Sequence, residues 1–122
     1  MVFTGILSEK KMIEQYLKSN VFVLPSVIEN SSNSLGEAML LGMPCVATNT
    51  GGTMDILEHK KEGFLYPYTE PAMCADYISR YFEDDKLCKE YGRQAREKAL
   101  SRHNAENNAN QIIKIYNEII KK

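Results

Sequence analysis

Val21-Phe22-Val23-Leu24-Pro25-Ser26-Val27-Ile28-Glu29-Asn30-Ser31-Ser32-Asn33-Ser34-Leu35-Gly36-Glu37-Ala38-Met39 is the stretch that decides how the rest of the chain is read. It opens on four consecutive apolar residues stopped by Pro25, the pattern of a strand buried on both faces. The segment from Pro25 to Asn33 is polar and rich in turn formers. A helix begins near Asn33 or Ser34 and carries Ala38, Met39 and Leu41 to Gly42, where Gly42 and Pro44 stop it.

The same alternation extends in both directions. Upstream, Val2 to Gly5 reads as a short strand, and Ser8 caps a helix with Met12, Ile13, Tyr16 and Leu17 on one face. Downstream, Pro44 to Ala47 is a second buried strand, Thr48 to Gly52 a loop of small residues, and Thr53 the cap of a short helix ending near Glu58. Gly63 to Tyr66 is a final edge strand before Pro67. Strand-length apolar runs separated by helical segments predict an α/β fold, a parallel sheet with flanking crossover helices. From residue 68 the pattern is helical throughout. One helix is expected near Pro71 to Phe82, a second from about Asp85 to Leu100 with Leu87, Tyr91, Ala95 and Ala99 at four-residue intervals, and a third over Ala109, Ile112, Ile113, Tyr116, Ile119 and Ile120. That last apolar stripe must lie against something, this domain or a neighbour.

The 122 residues, 43% hydrophobic and 25% charged, suit one domain with a sheet portion over 1–67 and a helical portion over 68–122. Fifteen Lys and Arg against sixteen Asp and Glu leave a formal charge of -1, too little field to gather a polyanion, so nucleic acid is not an expected partner. Apolar runs fall well short of the roughly 18 residues that span a membrane, and no basic-then-apolar leader opens the sequence. The expected location is cytoplasmic, with the inner face of the membrane as an alternative. Cys45, Cys74 and Cys88 are odd in number with no Cys-x-x-Cys, which favours small core residues over disulfides or zinc.

The polar loop carries the chemistry. In open parallel sheets ligands enter the crevice beyond the carboxyl ends of the strands, where this loop must lie. The helix after it offers unpaired amides and the positive end of its dipole, a seat for a phosphate. Glu37 sits roughly 5 Å further along the helix axis, where a carboxylate can accept two hydrogen bonds from vicinal hydroxyls such as those of ribose. Glu29, at the loop's other end, has reach to hydroxyls of a group beyond the phosphates. Other readings stand beside these. Ser34-Leu35-Gly36-Glu37 also matches a capping box that needs no ligand, Glu29 also suits an ordinary exposed loop carboxylate, and Gly51-Gly52 marks either a turn with positive φ or a close backbone approach to a ligand.

Val21 to Gly52 resembles the donor-binding signature of the group 1 glycosyltransferases, retaining enzymes built on the GT-B fold. The resemblance rests on Leu24-Pro25-Ser26, on Glu29 and Glu37 with seven residues between them, and on Glu37-Ala38-Met39, Gly42-x-Pro44 and Gly51-Gly52. Gly5 in Phe3-Thr4-Gly5, Gly63-Phe64-Leu65 and the stripe around Ile115-Tyr116 extend it more weakly. It implies a Rossmann-like sheet, here the second half of a donor-binding domain. It implies transfer of a hexosyl group from a nucleotide sugar, a UDP- or GDP-hexose, to an acceptor glycan or lipid-linked sugar, with no cofactor and no metal. Glu29 is then the catalytic-site glutamate facing the hexose and Glu37 the one holding the ribose. Backbone around Asn30, Ser31, Ser32, Asn33, Ser34 and Leu35 contacts donor hydroxyls and diphosphate, and Gly5 joins the donor-binding positions.

The commonest family form of this loop is Gly-Phe-Gly-Leu, whereas Asn30-Ser31-Ser32-Asn33 resembles a subgroup associated with bacterial surface polysaccharides. The family's N-terminal acceptor domain, and the part of its donor domain bearing an Arg and a Lys for the diphosphate, have no counterpart in these 122 residues. If the strands that normally lie between them are missing, the Val2 and Val21 strands are expected to pair directly, to pair with another chain, or to leave exposed edges. Two other classes fit part of the pattern: a nucleotide-sugar epimerase of GT-B architecture, which needs an added acid/base pair, and a non-catalytic nucleotide-binding or interaction module.

Overall fold

A computed structural model describes all of residues 1–122. Three strands, β1 (Phe22–Leu24), β2 (Cys45–Thr48) and β3 (Phe64–Tyr66), form a parallel sheet in the order β1-β2-β3. Val23 lies opposite Val46, and Val46 opposite Phe64. The helices are α1 (Glu9–Lys18), α2 (Asn33–Leu40), α3 (Thr53–Ile56), α4 (Pro71–Glu83), α5 (Asp85–Arg102) and α6 (Ala105–Ile120). This is the expected α/β arrangement, strand and helix in alternation and then helices alone.

The two-residue period of the strands sorts the core into two layers. Cys45 and Ala47 of β2 face Tyr16, Leu24, Leu35, Ala38, Met39, Ala95 and Ala99, so α1, α2 and α5 cover that side. Val46 faces the other way, into Phe64, Tyr66, Tyr77 and Tyr81, under α4. Every residue of β2 is buried, as the central strand of three requires. Small residues on α5 allow α2 to come close. Gly92, Ala95 and Ala99 form the buried face of α5, and a Cβ on Gly92 would stand 2.2 Å from the carbonyl oxygen of Gly42.

Three expectations are corrected. Val2 to Gly5 is not a strand: it belongs to no element, and Met1, Val2, Phe3 and Ile6 are exposed. No neighbouring strand offers it hydrogen bonds, and Gly5 at φ +67° breaks the extended run. For the same reason β1 is an edge, paired on one side, and Phe22 and Val23 are half-buried where burial on both faces was expected. Thr53 does not cap α3. Gly52 holds the cap position, while Thr53 is the first helical residue, fully buried, with its hydroxyl unpartnered. Of the two surfaces expected to cover the apolar stripe of α6, this domain is not the one: none of the helix's residues is buried.

Burial pushes the Cys45 thiol and the Tyr66 phenol up to about 12, and burial with the nearby Glu37 carboxylate does the same to Tyr16. The Tyr81 phenol, which donates to the Cys45 carbonyl at 3.0 Å, is also raised by burial. Each group holds its proton more tightly folded than unfolded. The stability it lends is complete below the unfolded values, 9.0 for the thiol and 10.0 for the phenols, and is lost as pH climbs through the folded ones. Urea midpoints should therefore hold steady from neutral pH to about 9 and fall between about 9 and 12; a midpoint unchanged at pH 12 would contradict this packing.

Candidate functional site

The loop between β1 and α2 leaves the carboxyl end of β1 and is fastened at its root by β2. Thr48, fully buried at the end of β2, donates its hydroxyl to the Ser26 carbonyl at 2.6 Å, and Thr50 reaches the same oxygen at 3.3 Å. Further out, the amide of Gly52 donates to the Glu29 carbonyl at 3.2 Å. Here the two backbones nearly touch. A Cβ on Gly51 would lie 1.7 Å from the Glu29 oxygen, and one on Gly52 would lie 1.8 Å from the Asn30 oxygen. Gly51 also takes φ +52°. The turn reading of the glycine pair holds, and the close approach is to the loop's own backbone, where a ligand was the alternative.

At the entry to α2, Ser32 is the cap. Its buried hydroxyl accepts from the Leu35 amide at 3.1 Å and touches the Ser34 hydroxyl at 3.1 Å. The helix starts early enough that Ser34 is already its second residue, so the expected capping box between Ser34 and Glu37 does not form. Leu35 is a core residue, 0% exposed, with its amide taken by Ser32, and so is withdrawn from the donor contacts. The amides of Asn33 and Ser34 find no acceptor in the chain and remain as the helix's open donors. Asn30, Ser31 and Asn33 are exposed, and Glu29 is half-buried.

Glu37, released from capping, is exposed at the rim. The hydroxyl of Tyr16 donates to its Oε2 at 3.2 Å and lies 3.5 Å from the Ser34 carbonyl oxygen. Glu37 lines a cleft of about 270 Å³ with Leu7, Glu9, Met12 and Ile13, and a shallower one of about 160 Å³ with Ile13, Tyr16, Leu40 and Leu41. The structure therefore gathers Tyr16, Ser34 and Glu37. Neither cleft reaches Glu29, and Gly5 stands apart in the exposed N-terminal segment, with nothing within 4 Å of where its Cβ would be. A larger cleft of about 380 Å³ opens among Ser19, Val21, Pro44 and Asp85, at the amino ends of β1 and β2 and opposite the loop. The two clefts at Glu37 lie between α1 and α2, and of the three only they include a residue of the expected site.

Tyr16 is the residue that sequence reasoning missed. Its signal was a hydroxyl on an otherwise apolar helix face, a group that needs a partner once buried.

With this geometry in hand, residues 1–98 match the model of the family described as glycosyl transferases group 1. The chain belongs to this family. Among curated relatives of this group 1 chain, the N-acetyl-alpha-D-glucosaminyl L-malate synthase of Bacillus anthracis is 26% identical over 121 residues, 99% of this chain and 31% of that protein. The sulfoquinovosyl transferase SQD2 of Arabidopsis thaliana is 33% identical over 99 residues, 79% of this chain and 19% of that one. The chain thus spans a third or less of the length of these relatives. Among solved structures, sucrose-phosphate synthase from Thermosynechococcus elongatus superposes with a TM-score of 0.83 at 27% identity, over 98% of this chain and 30% of that one. Anabaena Alr3699/HepE, solved in complex with UDP-glucose, superposes with a TM-score of 0.77 at 26% identity, over 88% of this chain and 30% of that one. The sheet and flanking helices are those of a GT-B glycosyltransferase.

The glycine contact gives a direct check on the loop. Gly52→Ala should lower stability by about 2 kcal/mol or more, since a backbone oxygen stands where the new methyl must go. Denaturation curves of the two proteins measure it; a variant as stable as the parent would show that the loop yields freely.

Proposed function

We propose that this chain is the donor-binding part of a hexosyltransferase that takes a nucleotide sugar, a UDP- or GDP-hexose, and passes the sugar with retention to a glycan or lipid-linked acceptor. The observation that carries the reading is the entry to α2, where two open amides stand one helical turn ahead of an acidic side chain. A diphosphate on Asn33 and Ser34 gains two N–H donors and the positive end of the dipole. Glu37, about 6 Å further along the axis, then meets the ribose hydroxyls. Glu29, held by its own backbone at the far side of the loop, serves the hexose as a positioning residue. Membership of the group 1 family supports the reading, and so does the likeness to a protein solved with UDP-glucose.

Charge decides what else the reaction needs. Departure of the nucleoside diphosphate builds negative charge that preorganised cations or amides must stabilise, commonly by several kcal/mol. The two clefts at Glu37 hold no Lys or Arg, so amides are the local contribution, and basic groups come from the rest of a longer polypeptide, which also supplies the acceptor domain. No helix of the structure is long and apolar enough to cross a membrane. Work at the inner membrane face, on acceptors for surface polysaccharide, belongs to the same proposal.

In the complete transferase, Glu29→Ala and Glu37→Ala should each lower kcat/KM by about tenfold to a hundredfold, the worth of charge-assisted hydrogen bonds to sugar and ribose. Steady-state rates with UDP- and GDP-hexoses read this out, and parental rates in both variants would overturn the assignment.

A further inference from the structure

Tyr16 joins the core to the rim. Its side is 7% exposed, its ring packs edge-on against Phe22 with centroids 5.8 Å apart, and both residues belong to the layer beneath α1 and α2. The hydroxyl alone reaches the surface groups. It has one proton to give, and of the two oxygens in reach the carboxylate is both nearer, 3.2 Å against 3.5 Å to the Ser34 carbonyl, and the stronger acceptor.

Glu37 needs such a partner. On an exposed helical turn a glutamate samples several rotamers, and a carboxylate that must accept both hydroxyls of a vicinal diol works in one of them. We propose that Tyr16 is the positioning residue for the nucleotide's ribose: anchored by its ring, its hydroxyl occupies one lone pair of Glu37 Oε2 and turns the remaining lone pairs toward the diol of a nucleoside diphosphate. This rests on the reading of Glu37 given under the proposed function. The clefts on either side of the contact leave the carboxylate approachable. Burial, and then Glu37 itself, raises the Tyr16 phenol to about 12, so it remains a donor across the neutral range.

A purely structural role, tying α1 to α2, would have different consequences, and the 2′-hydroxyl separates the two. Isothermal titration of the complete transferase with UDP and GDP and with their 2′-deoxy forms, on the parent, Tyr16→Phe, Glu37→Ala and the double variant, is the experiment. Tyr16→Phe should weaken the ribonucleotide by roughly threefold to tenfold and the deoxy form by less, narrowing the preference for ribose. Added to Glu37→Ala it should change nothing further. A Tyr16→Phe protein with a parental melting curve and an undiminished ribose preference would overturn the positioning role alone. If Glu37→Ala binds as the parent does, or the parent takes neither nucleotide, the reading of Glu37 falls and this inference falls with it.

Discussion

Two peptide segments lie against each other so closely that no side chain fits between them: Glu29-Asn30 on the loop after β1, and Gly51-Gly52 on the turn after β2. The rest of the site depends on that contact. It is held by one amide-to-carbonyl bond at 3.2 Å, and by the two threonine hydroxyls that converge on the Ser26 carbonyl behind it. Backbone and β2 thus fix the loop's course, and β2 is buried along its whole length. The exposed side chains of Asn30, Ser31 and Asn33 take no part in this fastening.

The electrostatics are local. With a formal charge of -1 the chain has no field of its own to draw in an anion, and the clefts beside Glu37 contain no basic side chain. In the proposed donor site a phosphate meets the start of one helix, where Ser32 satisfies the Leu35 amide and two others stay open. The same cap frees Glu37 from the helix terminus and leaves it to Tyr16. One choice of cap residue therefore shapes both the anion seat and the carboxylate beyond it.

The sheet and its helices were legible because each depends on a run of residues. Cys45 to Ala47 and the spacing of Ala95 and Ala99 mark what lies inside, whereas Val21 to Leu24 marks a strand without showing that it is a half-buried edge. Val2 to Gly5 looked like the other strands, yet a strand is a property of a pair, and no strand of this chain pairs with it. Ser34 and Glu37 have the spacing of a capping box, but the box depends on where the helix begins, and Ser32 starts it early enough to exclude that pairing. The proposal of Glu29 and Glu37 rests on their order along the chain. Tyr16 is 21 positions from Glu37, and spacing cannot show a contact that folding alone creates.

In the proposed function a nucleoside diphosphate seats on the first turn of α2, with Glu37 beside it. The most direct measurement is an amide-resolved NMR titration of the chain with UDP and GDP. The largest shifts are expected at the amides of Asn33 and Ser34, with smaller ones spreading to Glu37 and Gly52. Shifts centred instead on Ser19, Val21 and Asp85, at the amino ends of the strands, with Asn33 and Ser34 unmoved, would contradict it.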